Sequence, residues 1–239
     1  MKILFIGNSF SQDTVKYLES VAEGEIYARN LYIGGCSLEM HANNIKEANA
    51  YYSYEKDAEE LLKVSINEAL HFEKWDIISV QQVSYQSGKP ESYEPHLGFV
   101  VDFIRENCPD AKIVFNRTWS YERGSDHPAF PQYDCDPDLM FRKIIEATQI
   151  IEAKYGFEMI PVGNAVQAAR LIPRFTHGAE DSMHRDGFHL SLTFGRYLAA
   201  LTAYAFFTKK SAQLVKFIPE GVDGEAASML KIIADTVVF

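Results

Sequence analysis

The chain has 239 residues, of which 47% are hydrophobic and 23% charged, and its formal net charge is −10. This length and composition predict one globular domain, residues 1–239, with a sizeable core. The negative charge repels phosphate backbones and anionic lipid headgroups, so we expect neither nucleic acid nor a membrane as a partner.

The chain begins with a short apolar run, residues 2–6, that ends at Gly7-Asn8-Ser9. A secretory signal peptide needs a longer apolar stretch followed by small residues at a cleavage site. The run is therefore predicted to be a buried first strand, and a cytoplasmic location is expected.

Further along the chain, short apolar runs alternate with segments of helical periodicity. The predicted strands are residues 2–6, 25–32, 75–80, 111–115 and 158–162. The predicted helices are residues 12–22, 54–72, 93–107, 138–154 and 190–207, with a weaker helical pattern over 38–50, and the segment 226–238 closes the chain. Strands separated by helices indicate βαβ units. The predicted fold is a single-domain, three-layer α/β/α sandwich with a central, mainly parallel five-stranded sheet, as in flavodoxin-like proteins.

In such sheets ligands bind at the carboxyl ends of the strands. Ser9 follows the first strand directly, on a glycine-containing turn, and so is expected at the floor of this crevice. A serine hydroxyl is a weak nucleophile unless a base lies beside it and donors stabilise the oxyanion that develops. Two long loops, residues 84–95 and 120–137, are expected to complete the site.

A base for Ser9 is available near the other end of the chain, in the segment Asp186-Gly187-Phe188-His189. The carboxylate can orient the imidazole and stabilise its charged form while the imidazole faces the serine. Each half alone has an ordinary explanation: Ser9 as a helix cap, and the second pair as a cap with a solvated histidine. Together, at opposite ends of one α/β domain, they point to nucleophilic catalysis.

This combination resembles the SGNH (GDSL-like) hydrolase superfamily, and especially a poorly characterised bacterial subgroup with a G-N-S-F-S start. The superfamily has a G-D-S-like block near the N-terminus and a D-x-x-H block near the C-terminus. The resemblance implies that Ser9 is the nucleophile, His189 the base and Asp186 its partner. It further implies an esterase acting on small acyl groups, often acetyl on carbohydrate, that requires no metal and no organic cofactor.

The superfamily also uses a glycine after the second strand and an asparagine after the third as oxyanion donors, beside the N–H of the serine. Gly35 matches the glycine, with Gly34 as the alternative. The third strand ends without the asparagine motif, at Gln81-Gln82. A glutamine amide has the same donors on a longer arm, and strand alternation directs only one of the two to the site. Gln82 is favoured and Gln81 is the alternative.

Candidate substrate-binding residues follow the fourth strand. Asn116 is placed to face the site or to form a turn, and Trp119 and Tyr121 either wall a pocket or pack within their loop. His184 lies two residues before Asp186 and is interpreted as a surface histidine.

The residue types that bind metals follow no recognised pattern here. Cys36, Cys108 and Cys135 lack C-x-x-C spacing, which indicates free thiols in a reducing compartment. Residues 126–136 combine Asp, His and Cys side chains at a spacing that fits neither a calcium loop nor a zinc finger. No metal is predicted.

Three hypotheses follow for the function. The first is a serine esterase acting on a small-molecule ester. The second is a flavodoxin-like protein that binds a flavin phosphate at the turn around Ser9. The third is an inactive member of the same fold that only binds sugar, motivated by the missing asparagine.

Overall fold

The structure is a computed structural model that describes residues 1–239. Its strands are Lys2–Gly7 (β1), Tyr27–Tyr32 (β2), Tyr52–Lys56 (β3), Glu59–Val64 (β4), Ile77–Val80 (β5), Lys112–Asn116 (β6) and Glu158–Ile160 (β7). They form one seven-stranded sheet in the order β4-β3-β2-β1-β5-β6-β7. Five neighbouring strands, β2, β1, β5, β6 and β7, pair in parallel. The β2–β3 and β3–β4 pairs are antiparallel.

The helices are Ser9–Val15 (α1), Leu18–Ala22 (α2), Leu38–Lys46 (α3), Ile66–Phe72 (α4), His96–Asn107 (α5), Pro137–Tyr155 (α6), Val162–Ala169 (α7), Phe194–Thr208 (α8) and Gly224–Val238 (α9). No helix in the chain combines the length and the apolar character that crossing a membrane requires.

The two faces of the sheet are buried in two separate apolar clusters. Along β1, Ile3 and Phe5 belong to the cluster beneath α1, α8 and α9, whereas Leu4 and Ile6 belong to the cluster beneath α3 and α5. Successive side chains of a strand point to opposite faces, so helices cover the sheet on both sides. The predicted α/β/α fold class is confirmed, and the five predicted strands are the parallel part of the sheet.

The predicted helix over residues 54–72 is wrong for most of its length. Its first half belongs to a β-hairpin of β3 and β4, whose turn places Asp57 and Ala58 at φ values of 51° and 63°. Two consecutive left-handed residues give the turn that matches the twist of paired strands. The sheet therefore has two more strands than predicted.

The apolar residues of β4 explain this error. Leu61 and Leu62 fit the apolar face of a helix in the sequence, but 54% and 44% of their surfaces are exposed on the edge strand. The real helix, α4, begins after Ser65, whose side chain and that of Glu68 form a capping box. A local pattern could not show that β4 pairs with β3 and that β3 in turn pairs with β2.

Other helices also differ from the prediction. The helix predicted over residues 12–22 is divided into α1 and α2, and α1 begins at Ser9. The helix predicted over 190–207 begins later, at Phe194, and α7 follows β7 directly where only a strand was predicted.

The parallel strands bring four loops to one edge of the sheet. Gly7 pairs with Tyr32, Ile6 with Val80, and Val80 with Phe115. The segments that begin after β1, β2, β5 and β6 therefore share the carboxyl-terminal edge, where a site is expected in this class of fold.

Candidate active site

Ser9 is the first residue of α1, immediately after the β1 turn. Asn8 caps this helix, because its side-chain oxygen accepts a hydrogen bond from the N–H of Phe10 at 3.0 Å. The N–H of a residue at this first position has no acceptor within its helix. Ser9 therefore offers both a hydroxyl and a backbone donor at the edge of the sheet.

Ser9, His189 and Asp186 form a continuous hydrogen-bonded series. Nε2 of His189 lies 2.8 Å from Oγ of Ser9, and Nδ1 lies 2.7 Å from Oδ2 of Asp186. A carboxylate can only accept, so Nδ1 carries the proton and Nε2 accepts from the serine hydroxyl. The three predicted residues are thus brought together in the order that nucleophilic catalysis requires.

The Asp186 carboxylate is held in its charged form. Its other oxygen accepts from the backbone N–H groups of His189 at 2.7 Å and Phe188 at 3.2 Å. Partial burial tends to raise the pKa of Asp186, but the hydrogen bonds from His189 and Phe188 outweigh it and bring the pKa below its ordinary value of 3.8. A charged carboxylate next to Nδ1 favours the imidazolium that forms during proton transfer.

The segment that holds Asp186 and His189 is a closed loop. His184 and Leu190 pair as an antiparallel bridge at its base, and the N–H of Arg185 donates to the carbonyl of His189 at 3.1 Å. At its tip, Gly187 has a φ of +81° and accepts from the N–H of Glu122 at 2.7 Å. The loop is therefore fixed both at its base and at its tip.

Asp13 is a residue of the site that the sequence analysis missed. It lies one helical turn after Ser9 and is completely buried. Its carboxylate accepts from the N–H of Leu190 at 2.9 Å, from Nη1 of Arg185 at 3.1 Å and from Nε of Arg196 at 2.7 Å. The acidic residue four positions after the serine was the available signal, but its partners lie more than 170 positions away.

Gly35, the predicted oxyanion glycine, lies in an exposed turn after β2. The N–H of Cys36 donates to the carbonyl of Ile33 at 3.2 Å, and Gly35 has a φ of +64°, a conformation that favours glycine. The Asn8 amide donates to the carbonyl of Cys36 at 3.0 Å and so joins this turn to the residue before Ser9. Gly34 lies in the same turn and is also exposed.

The two glutamines after β5 have different surroundings. Nε2 of Gln82 has two acceptors on Ser92, at 2.9 and 3.1 Å, and its oxygen accepts from the N–H groups of Leu38 and Val83. Both its donors are thus used within the protein, which corrects the preference for Gln82 as an oxyanion donor. Nε2 of Gln81 donates to Oδ1 of Asn8 at 2.9 Å, which leaves one of its two hydrogens without a partner.

Asn116 and Trp119 do not face a substrate, which corrects both predictions. Asn116 is fully buried, and its amide donates to Oε1 of Gln81 at 2.8 Å. Trp119 is also fully buried: its ring stacks on Phe10 at 4.1 Å, and its N–H donates to the carbonyl of Phe188 at 2.8 Å. Both residues support the site from beneath.

Tyr121 and His184 are buried as well. The Tyr121 hydroxyl lies 2.9 Å from Oγ of Ser84. His184 was expected on the surface, but its side chain is fully enclosed between Arg170, at 2.8 Å, and Glu122, at 3.7 Å. Burial, with the positive charge of Arg170, lowers the pKa of His184 to about 4.

No group of three or more His, Cys, Asp or Glu side chains is arranged as metal ligands in the structure. A cavity of about 500 Å³ lies between residues 70–75 and 107–111. These segments precede β5 and β6, so this cavity opens at the opposite edge of the sheet from Ser9.

The fold is shared with solved hydrolase structures of low sequence identity. A protein from Slackia heliotrinireducens assigned as an SGNH hydrolase is 23% identical, with a TM-score of 0.58 over 84% of this chain and 95% of that one. An acetyl xylan esterase, AlAXEase, is 11% identical, with a TM-score of 0.57 over 83% of this chain and 96% of that one. The fold is that of the SGNH (GDSL-like) hydrolases, as the resemblance predicted.

A narrower assignment comes from the sequence. Residues 2–237 match the family described as a domain of unknown function, DUF4886. A DUF4886 family protein from Bacteroides uniformis ATCC 8492 is 38% identical, with a TM-score of 0.90 over 99% of this chain and 93% of that one. The chain therefore belongs to the DUF4886 family. A comparison with curated proteins found no match.

Proposed function

We propose that this protein is a serine esterase in which Ser9 is the nucleophile, His189 the general base and Asp186 its partner. The observation that carries the proposal is the series of two short hydrogen bonds, 2.8 Å from Ser9 to His189 and 2.7 Å from His189 to Asp186. A serine bonded to a carboxylate-oriented imidazole is a recurring arrangement for acyl transfer on unrelated folds.

In the proposed reaction, Oγ of Ser9 attacks the ester carbonyl while Nε2 of His189 takes its proton. The N–H groups of Ser9 and Gly35 stabilise the oxyanion, and the free hydrogen of the Gln81 amide is the candidate third donor. His189 then protonates the departing alcohol. Water, activated by the same imidazole, hydrolyses the acyl-enzyme and restores Ser9. No step requires a metal or an organic cofactor.

The proposed substrate is a small-molecule ester with a short acyl group, most simply acetyl, and an acetylated carbohydrate is one candidate. The shared fold with an acetyl xylan esterase supports this choice. We further propose that residues 1–239 act as one domain, and that the three free cysteines reflect a reducing, cytoplasmic location.

The test compares wild type, Ser9→Ala and His189→Ala for hydrolysis of p-nitrophenyl acetate and for covalent labelling by a fluorophosphonate. Ser20→Ala and His71→Ala, which remove exposed residues of the same types, are the matched controls. We expect both site variants to lose activity by about a thousandfold or more, and only wild type and the controls to be labelled at Ser9.

A wild-type protein that neither hydrolyses the ester nor takes the fluorophosphonate contradicts the esterase proposal. The inactive sugar-binding and flavodoxin-like hypotheses then predict different results. The first predicts binding of a sugar without turnover, and the second predicts uptake of flavin mononucleotide with a yellow colour.

A further inference from the structure

Three aromatic side chains continue outward from His189 and are only half-buried. They are Phe188, His127 and Tyr85, which we call the aromatic ledge. The ring of Phe188 lies 4.1 Å from that of His189, the ring of His127 lies 4.9 Å from Phe188, and the ring of Tyr85 lies 6.4 Å from His127. The ledge therefore begins at the proposed general base and ends at the loop after β5.

We propose that the aromatic ledge is a substrate subsite that binds the alcohol portion of the ester and selects alcohols that carry a flat, apolar ring face. The proposal rests on the proposed esterase function and adds to it the class of alcohol.

The position of the ledge assigns it to the alcohol rather than to the acyl group. In the proposed reaction, Nε2 of His189 gives its proton to the departing alcohol oxygen, so that oxygen must lie within hydrogen-bond distance of the imidazole. Gly35 and the Ser9 N–H, which would hold the carbonyl oxygen, belong to the turns after β2 and β1. The alcohol therefore leaves on the side of His189, where Phe188 and His127 lie.

The ledge is held in place from beneath by buried groups. Tyr121 packs under His127 at 4.5 Å, and the Trp119 N–H donates to the carbonyl of Phe188 at 2.8 Å. Nδ1 of His127 accepts from the N–H of Ala129 at 3.2 Å. Rings that are already fixed lose little entropy when a ligand binds, which favours their use as a binding surface.

The chemistry of the ledge is apolar and aromatic. Partial burial lowers the pKa of His127 below its ordinary value of 6.5, so this ring is uncharged at neutral pH. None of the three rings then carries a formal charge. Such a surface suits the π face of an aryl group or the C–H face of a pyranose, by stacking and by exclusion of water.

The ledge provides the aromatic pocket wall that the sequence predicted for Trp119 and Tyr121. Those two rings are fully buried and cannot contact a ligand directly. Trp119 and Tyr121 instead pack beneath Phe188 and His127, and these two half-buried rings form the wall.

The experiment measures kcat/KM of wild type, Tyr85→Ala and His127→Ala for four esters. Benzyl acetate and methyl 6-O-acetylglucopyranoside place a ring on the alcohol, ethyl phenylacetate places it on the acyl group, and ethyl acetate has none. Tyr51→Ala, which removes a 64% exposed tyrosine elsewhere, is the matched control. The benzyl and glucosyl substrates distinguish an aryl from a sugar ring.

We expect the ledge variants to lose about tenfold in kcat/KM for one or both ring alcohols, which is the order of effect of losing one hydrophobic contact in a pocket. Ethyl acetate and ethyl phenylacetate should change by less than about twofold. A loss confined to ethyl phenylacetate overturns the assignment to the alcohol. Equal effects on all four esters overturn the subsite.

A binding measurement separates this proposal from the esterase function. Saturation-transfer NMR of benzyl alcohol and of methyl glucopyranoside is recorded with Ser9→Ala, with and without His127→Ala. Binding to Ser9→Ala that is lost when His127→Ala is added supports the ledge even if no ester is hydrolysed. Binding of neither compound, in a protein whose Ser9 is labelled by a fluorophosphonate in the wild type, overturns the ledge and leaves the esterase function standing.

Discussion

The carboxylate of Asp13 accepts a hydrogen bond from the backbone N–H of Leu190, the residue after His189, at 2.9 Å. Asp13 lies on the helix that begins at Ser9, whereas Leu190 closes the loop of Asp186 and His189. This contact therefore joins the helix of the proposed nucleophile to the loop that holds its base. Two arginines, Arg185 and Arg196, neutralise the buried carboxylate.

The first prediction concerns Asp13→Asn, which keeps the shape of the side chain and removes its charge. Both arginines then lose their ion pair with Asp13, and we expect the free energy of unfolding to fall by about 3 kcal/mol. We also expect kcat to fall at least about tenfold with KM little changed, because the serine and the imidazole lose their alignment. Urea unfolding and steady-state kinetics provide the measurements.

The control for Asp13 is Gln12→Ala, which removes a hydrogen bond from the neighbouring position of the same helix. Asp13 acts as a positioning residue only if the folded variant shows a shifted pH profile of kcat/KM. A stability loss with an unchanged profile would mean a purely structural role.

The second prediction concerns Asp186→Asn. Replacing the carboxylate by an amide allows the imidazole of His189 to adopt the tautomer that cannot accept from Ser9. We expect kcat to fall by about 10³- to 10⁴-fold, while the thermal unfolding temperature changes little because the side chain is 41% exposed. Asp126→Asn, in an exposed position, is the control, and equal activity of the two variants would contradict the proposed triad.

The third prediction compares two glycines with nearly the same backbone. Gly187 and Gly178 have φ values of +81° and +79°, but only at Gly187 would a Cβ approach another residue, Ser125, at 3.1 Å. Each Gly→Ala change should reduce stability by about 1 kcal/mol through the left-handed conformation. Only Gly187→Ala should also reduce ester hydrolysis, because the loop of His189 must move away from Ser125. Kinetics and thermal unfolding of the two variants test this, and an active Gly187→Ala variant would argue against a rigid loop.

The fourth prediction concerns stability against pH. Burial lowers the pKa of His184 to about 4 and that of His41 to about 3, from an ordinary value of 6.5. At a pH between the ordinary value and the lowered value, each histidine binds a proton in the unfolded chain but not in the folded chain. The free energy of unfolding therefore falls as the pH decreases. The loss begins near pH 6.5 and amounts to about 1.4 kcal/mol per pH unit for each proton.

The measurement is urea unfolding between pH 6.5 and 5, a range above the ordinary pKa of carboxylates. Arg170 and Glu122 face His184, and His184→Gln keeps an acceptor for the arginine while removing the titration. We expect the free energy of unfolding of His184→Gln to depend less steeply on pH than that of wild type, by the equivalent of up to one proton. The exposed His71, replaced by Gln, is the control, and a His184→Gln slope equal to that of wild type would contradict a neutral buried His184.

The fifth prediction separates the two glutamines after β5. Gln81→Met removes the amide that donates to Asn8 and so supports the turn before Ser9. It also removes the free amide hydrogen proposed as the third oxyanion donor, and ester hydrolysis should therefore fall by about a hundredfold. Gln82→Met removes bonds to Ser92 and to two backbone donors and should mainly lower the free energy of unfolding. Kinetics and urea unfolding of both variants distinguish these roles, and the reverse pattern would restore Gln82 as the donor.

The sequence by itself determined the parallel part of the sheet and the ends of the strands that carry the site. Apolar runs such as residues 2–6 and 75–80 are short and bounded by polar turns, and this periodicity depends only on neighbouring residues. The same locality made Ser9 visible after its strand. It also made Asp186 and His189 visible as a pair three positions apart.

Only the tertiary structure decided which side chains reach the site, because that depends on contacts between residues far apart in the chain. The hairpin of β3 and β4 forms because β3 pairs with β2, an interaction that no local pattern records. Trp119 is buried against Phe10, more than a hundred positions away, whereas Phe188, whose carbonyl accepts from the Trp119 N–H, is only half-buried. Asp13 acquires its role only when the two ends of the chain meet beside Ser9.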